Sequence, residues 1–396
     1  MKLPVFLDHH STTPVDPRVL EAMLPFFTEK FGNAASRTHA FGWQAEEAVE
    51  TARLQVASLI KAHPQEIVFT SGATEANNLA LLGAARERKT GHIIASQVEH
   101  SSVLETCGYL ETQGFRVTYL SVDTLGRINL EELEGAIGKD TFMISVLSAN
   151  NEIGTRQPVS EIGKIAKKHG IYFHTDAAQS VGLIEHDVNA EGIDLLSLSA
   201  HKIYGPKGVG ALYVRRRSPR VSLEPQTHGG RHERGIRSGT LNVPGIIGLG
   251  EAAQLCLESR RVESARIGEL RDELQARVLA GLTQVQVNGD LSNRLPNNLS
   301  LSFAFLESGS ILSAMRDIAA SSGSACASAQ AEPSHVLKAI KLSEPFARGT
   351  IRLGLGRFTT LEEVELTAHC IQEAVQKLRE ESQTWKFAQT DLRSNL

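Results

Sequence analysis

The chain has no apolar run approaching the roughly 18 residues a membrane-spanning helix needs, so no anchor of that kind is predicted. Its opening residues, Met1-Lys2-Leu3-Pro4-Val5-Phe6, turn polar too soon for a secretory signal. Positive charge is not in excess: 41 Lys and Arg face 45 Asp and Glu, a net −4 with no long basic run. That argues against a direct nucleic-acid or anionic-membrane surface. The densest basic stretch, Arg215-Arg216-Arg217 with Arg220, reads as a solvated turn after a strand. Cysteine is scarce too. Cys107, Cys256, Cys326 and Cys370 lie far apart, without CxxC or any zinc spacing, so no metal site is expected. The pattern fits reduced thiols in a cytoplasmic protein, three of them acting as small apolar residues on helices.

What is present is an ordinary globular composition, 41% hydrophobic and 22% charged, in 396 residues, too long for one typical core. Strands are predicted near 67–69, 92–95, 115–120, 142–147, 171–174, 195–198 and 210–214. Helices are predicted between them, at about 101–113, 129–137 and 159–169, with another beginning near Glu75. This βα alternation predicts a large, mainly parallel, buried sheet with helices on both faces. Ligand residues should then gather at the C-terminal ends of its strands. A long charged helix at about 245–283 leads into a smaller α+β unit. The expected division is a large domain at 15–258 and a small one made of 1–14 and 259–396.

Ser71, His100, Asn151, Asp176 and His201 all follow predicted strands closely. Lys202 closes Ser199-Ala200-His201-Lys202, downstream of Asp176-Ala177-Ala178-Gln179. An amine, hydroxyl and imidazole donors for a phosphate, and a carboxylate for a pyridinium nitrogen are the set that pyridoxal 5'-phosphate enzymes require. Lys202 would form the Schiff base, and Ser199 and His201 would hold the phosphate. The bland alternative is a strand end carrying ordinary polar residues. Thr70-Ser71-Gly72-Ala73-Thr74 offers amides and hydroxyls, Ala73 and Thr74 among them, at the positive end of a helix. A plain loop with Thr74 as helix N-cap would use the same hydroxyl. Asp176, after an apolar strand, needs a partner; a pyridinium N–H or the cap of the following helix would each provide one. Gln179 is placed to reach the ring's phenolic oxygen.

His100 reads as an acid/base near neutrality over the ring, or as a helix-terminal histidine without chemistry. Cys326 sits in Ala319-Ala320-Ser321-Ser322-Gly323-Ser324-Ala325-Cys326-Ala327-Ser328-Ala329, a run of small residues that orders weakly. On such a tether a thiol is a candidate nucleophile, or a free cysteine in a surface loop. Arg352 reads as a clamp for a substrate carboxylate, assisted by Asn151 and Asn33, or as a surface strand residue.

Motifs along nearly the whole chain, from Leu7-Asp8-His9-His10-Ser11-Thr12-Thr13-Pro14 to Arg357-Phe358-Thr359-Thr360, carry a close resemblance. They include Phe69-Thr70-Ser71-Gly72-Ala73-Thr74-Glu75, Asn150-Asn151-Glu152-Ile153-Gly154, His201-Lys202-Ile203-Tyr204-Gly205-Pro206-Lys207-Gly208 and Arg237-Ser238-Gly239-Thr240. In these the chain resembles the cysteine desulfurases of class V aminotransferase fold, in the subgroup whose catalytic cysteine rides a long loop. The resemblance implies an aspartate-aminotransferase-like fold and a pyridoxal-phosphate homodimer in which Thr240 reaches the neighbouring subunit's cofactor. It implies Lys202 as the Schiff-base residue, with His100 over the ring and Asp176 and Gln179 at its edge. Thr74, Ser199 and His201 would hold the phosphate, with Asn151 and Arg352 near the substrate carboxylate. Cys326 would take sulfur from L-cysteine as a persulfide, release alanine and pass the sulfur to an acceptor protein for iron–sulfur clusters or tRNA thiolation. Two positions depart from the family: Arg231 stands where a third glycine is expected after Gly229-Gly230, and the tail Asp391-Leu392-Arg393-Ser394-Asn395-Leu396 differs.

Three other readings stand beside this one. A metal-dependent phosphoesterase could use Asp8-His9-His10, but it leaves Lys202, Asp176 and Cys326 unexplained. A non-catalytic binding module would ordinarily have lost Lys202. A selenocysteine lyase of the same fold differs in substrate preference alone.

Overall fold

The computed structural model describes residues 2–217, 220–322, 333–383 and 385–387. Twelve strands are named in chain order. β1 is Val5–Phe6, β2 Ile67–Thr70, β3 His92–Ser96, β4 Arg116–Leu120, β5 Thr141–Ser145 and β6 Tyr172–Asp176. β7 is Leu195–Ser199, β8 Gly210–Val214, β9 Val285–Val287, β10 Asn298–Phe303, β11 Ile318–Ala319 and β12 Thr350–Gly354.

The large sheet has seven strands in the order β2-β8-β7-β6-β5-β3-β4. All run parallel except β8, which is antiparallel to both neighbours. The apolar runs that predicted these strands are buried on both faces, as a helix-covered parallel sheet demands. Alternation along each strand decides the face. Ile67 and Phe69 enter one core and Val68 the other; Ile94 enters the first, Ile93 and Ala95 the second. The helices Ala73–Arg88 and Ser101–Thr112 supply the second core, while Ala40–Leu59 and Val159–His169 supply the first.

A third core lies under the antiparallel sheet β12-β10-β9 and the parallel pair β1-β11. Val5 and Leu7 from the N-terminal segment join it, across from Ile318, Ile351 and Leu353. The helix Val243–Gly281 spans both regions: Ile246, Leu249 and Ala252 pack in the first core, and Ile267, Leu274 and Val278 in the third. At ~1.5 Å per residue it is about 58 Å long. Cys107, Cys256 and Cys370 sit on helices as expected, the first two buried and the third partly so. Cys326 lies outside the described residues.

Candidate active site

A cavity of about 520 Å³ opens at the C-terminal ends of β2, β3, β5, β6 and β7. Ser71, His100, Asn151, Asp176 and His201, widely separated in the chain, all line it. Parallel strands end at one edge of the sheet, so short loops after each strand meet there.

On one wall the helix Ala73–Arg88 begins. Its N-cap is Gly72, which has no side chain to cap it, and the first N–H groups of a helix lie outside its own ladder. Thr74 is exposed in the first turn and is not the N-cap, which corrects that alternative. The loop sits tightly against β7 and β8. A Cβ at Gly210 would fall 2.7 Å from the Cα of Gly72 and 2.5 Å from the carbonyl of Leu198, so a side chain there would push the cradle out. Ser199, buried at the end of β7, faces Gly72. His201 pairs through Nδ1 with the hydroxyl of Thr12 at 3.2 Å. Burial, helped by the charges of Lys202 and Lys207, brings its pKa down to about 4, so it is neutral. The next residue, Lys202, ends a short 3-10 turn and donates through Nζ to the carbonyls of His10 and, at 2.9 Å, Ser11.

Across the cavity Asp176 is the last residue of β6 and only 8% exposed. Its Oδ2 accepts from Asn77 Nδ2 at 2.7 Å, and its Oδ1 accepts from the Ala178 N–H at 2.9 Å. Asn77 also donates to Ser102 Oγ at 2.8 Å, and Ser102 lies 2.9 Å from His100 Nδ1. The Ser102 N–H donates to the same nitrogen at 3.1 Å, so Nδ1 is an acceptor and the proton of neutral His100 sits on Nε2. His100 is the N-cap of Ser101–Thr112. Burial lowers its pKa from the ordinary histidine value, against the nearby charge of Asp176, which raises it. Asn77 and Ser102 were not anticipated. The visible signal was an amide on the buried face of an alanine-rich helix.

The N-terminal segment closes the site with Ser11 and Thr12, also unanticipated. Its neighbours Asp8, His9 and His10 do separate work: Asp8 pairs with Arg352, His9 Nδ1 donates to the Gly354 carbonyl at 2.8 Å, and His10 meets Gln179. Both polar atoms of the Gln179 amide are engaged by His10. Arg352 is no surface residue. It lies inside β12 at 2% exposure, bonded to Asp8 Oδ1 at 2.9 Å and to the carbonyl of Asn151 at 3.1 Å.

Among the described residues, three expected site residues are outside the cavity lining: Arg352, which reaches it through the Asn151 carbonyl, and Asn33 and Thr240. Asn33 is exposed on the loop before Ala40–Leu59, where its Oδ1 accepts from the Ala35 N–H at 2.9 Å. Thr240 is exposed and outside the cavity lining. Arg231, at a position where a glycine is expected, has a left-handed backbone at φ +58°, the conformation glycine adopts at least cost.

The chain matches the Aminotransferase class-V family over residues 5–366. It is 53% identical to the cysteine desulfurase IscS of Anaeromyxobacter dehalogenans (strain 2CP-C) over 389 residues, 98% of this chain and 96% of that protein. It is 51% identical to the cysteine desulfurase of Mus musculus over 395 residues, 99% of this chain and 86% of the mouse protein. Among solved structures, a NifS-like protein superposes with TM-score 0.88 at 38% identity, covering 94% of this chain and 99% of its own. The structure titled SspA in complex with cysteine does so with TM-score 0.79 at 40% identity, covering 90% and 100%. By sequence across its length and by fold, this chain belongs to the class-V aminotransferase family, within its cysteine desulfurase branch.

Proposed function

We propose that the protein is a pyridoxal-phosphate-dependent cysteine desulfurase that converts L-cysteine to L-alanine and carries the sulfur as a persulfide on Cys326. One observation carries the reading: a single cavity gathers Lys202, Asp176 and His100 beside the uncapped start of the helix Ala73–Arg88. The donor set fits the cofactor. Helix amides with Thr74, Ser199 and His201 suit a phosphate, and the buried carboxylate of Asp176 suits a protonated ring nitrogen. Lys202 would supply the amine for its aldehyde, and Gln179 would meet its phenolic oxygen. When bound, pyridoxal phosphate supplies an electron sink that labilises bonds at the Cα of an amino acid.

The chain's own residues divide the remaining work. Asn77 and the Ala178 amide hold the Asp176 carboxylate in place, where it would meet the ring nitrogen of a bound cofactor. His100, neutral with its proton on Nε2, and the Lys202 amine are the groups that move protons at the substrate. Arg352 and Asn151 receive the substrate carboxylate, with Asn33 and Thr240 reserved for a site completed by a second subunit. In the sulfur step the Cys326 thiolate attacks the sulfur of bound cysteine, an S–S bond forms as the C–S bond breaks, and the electron pair leaves toward carbon. The balance is L-cysteine plus enzyme thiol giving L-alanine plus enzyme persulfide. Burial pushes the thiols of Cys107 and Cys256 up to about 12 and about 11, so neither supplies a thiolate near neutral pH.

The division proposed is a large domain at 15–258 and a small one at 1–14 and 259–396; the third core, built from Val5, Leu7 and residues after 266, supports it, while Val336, Leu337 and Ile340 pack in the first core instead. A cytoplasmic homodimer that hands sulfur to an acceptor protein for iron–sulfur clusters or tRNA thiolation completes the reading. The test is a cysteine pulse followed by alanine assay and mass spectrometry. One added sulfur is expected at Cys326, and Cys326→Ser should keep the visible colour while yielding almost no alanine. Sulfur on another cysteine would overturn the assignment.

A further inference from the structure

His10 lies in the segment between β1 and the helix Pro17–Met23, 1% exposed, and touches both the small sheet and the cavity wall. Its Nε2 lies 3.1 Å from Asn298 Nδ2, and that amide nitrogen also donates to the Glu152 carbonyl at 3.2 Å. Its Nδ1 lies 3.0 Å from Gln179 Oε1, while Gln179 Nε2 donates to the carbonyl of His10 itself at 3.0 Å.

These contacts determine every proton position. A backbone carbonyl only accepts, so the atoms facing Glu152 and the His10 carbonyl must be amide NH2 groups. Asn298 therefore donates to Nε2, and Nε2 carries no proton. A neutral imidazole then has its proton on Nδ1, which donates to Gln179 Oε1. The close fit of Asn298 depends on Gly154 (φ +74°), where a Cβ would fall 2.7 Å from the asparagine side chain.

We infer that His10 is a positioning residue: protonated on Nδ1, it orients the Gln179 amide so that its remaining N–H is offered to an anionic oxygen in the cavity. Without that restraint the amide keeps only its bond to the residue 10 carbonyl, and its remaining N–H is less firmly directed at the anion. Complete burial, with the positive charges of Arg352 and Lys202 nearby and the Gln179 hydrogen bond and Asp8 opposing, lowers the His10 pKa to about 3 and keeps the ring neutral. In the cofactor reading proposed above, on which this role rests, the anionic oxygen is the phenolate of the ring. The arrangement also gives the Asp8-His9-His10 string a purpose that needs no metal.

The test has two arms. In the first, protein labelled with 15N-histidine is examined by long-range 15N–1H NMR, with the His10 signal assigned by its loss in His10→Asn. A neutral ring protonated on Nδ1 is expected from pH 6 to 8; protonation on Nε2, or an imidazolium at pH 7, would overturn the inference. In the second, the visible spectrum of the pyridoxal-phosphate-loaded protein is titrated with base. A hydrogen bond donated to the phenolate holds the colour transition at lower pH. His10→Gln, whose amide overlays Nε2 and abandons Gln179, should raise the midpoint by about one pH unit. His10→Asn, whose amide overlays Nδ1, should restore it; equal midpoints in all three proteins would refute the role. If wild-type protein mixed with pyridoxal phosphate develops no visible band, the cofactor reading fails, and the NMR arm alone decides the His10 tautomer.

Discussion

The guanidinium of Arg352, inside β12, rests 2.9 Å from the carboxylate of Asp8, although 344 residues separate them. Asp8 also accepts from Ser321 Oγ at 3.0 Å, next to the segment that carries Cys326. The pair leaves Arg352 oriented from one side and within reach of Asn151 on the other. If Arg352 receives the substrate carboxylate, Arg352→Lys loses the planar fork that matches it. Steady-state kinetics should show KM for L-cysteine raised about tenfold or more, with kcat less affected. A fall in kcat at unchanged KM would rule out the clamp.

Lys202→Ala should abolish the visible absorbance at cofactor concentrations that saturate the wild type. Borohydride treatment followed by peptide mapping should find a pyridoxyl mass on Lys202 in the wild type and on no lysine in the variant. The same mass on another lysine would remove Lys202 from its place.

Asp176→Ala should retain bound cofactor, because the phosphate contacts lie at the far wall, while kcat falls about 10²–10³-fold. Asn77→Ala should reproduce part of this loss, since Asn77 fixes Asp176 Oδ2 at 2.7 Å. Spectral titration with pyridoxal phosphate beside single-turnover assays separates binding from chemistry. Near-normal turnover of loaded Asp176→Ala would contradict the role.

Glu99, next to His100, offers a stability test. Its Oε1 accepts from Ser96 Oγ at 2.6 Å and from the Leu147 N–H at 2.8 Å, while its buried Oε2 has no hydrogen-bond partner among the described residues. Burial pushes its pKa up to about 8. The folded state then holds a proton that the unfolded chain releases near pH 4.5. Stability should therefore fall with rising pH between those values, by roughly 1 kcal/mol per unit, and level off above about 8. Glu99→Gln has no such proton to lose, so its denaturation free energy should overtake the wild type across that window. Parallel pH profiles for the two proteins would exclude a protonated Glu99.

The amino-acid sequence by itself carried the architecture, because apolar runs of strand length alternating with helical segments leave a buried parallel sheet as their physical outcome. It carried the location of the site as well: Asp176, His100 and Lys202 each follow a strand, and parallel strands end at one edge. Individual hydrogen-bond partners were beyond it. That Asn77 holds Asp176, that His10 holds Gln179, or that Asp8 neutralises Arg352 depends on register and packing between residues far apart in the chain. The direction of histidine titration was equally hidden. His100 and His201 have the same intrinsic chemistry as any imidazole, and only burial in the folded protein lowers the pKa of both. Asn33 and Thr240 show the converse, motif residues that the fold of one chain leaves outside the cavity. Local patterning decides which elements form and where they end; tertiary packing alone decides which side chains meet and which of them keep their charge.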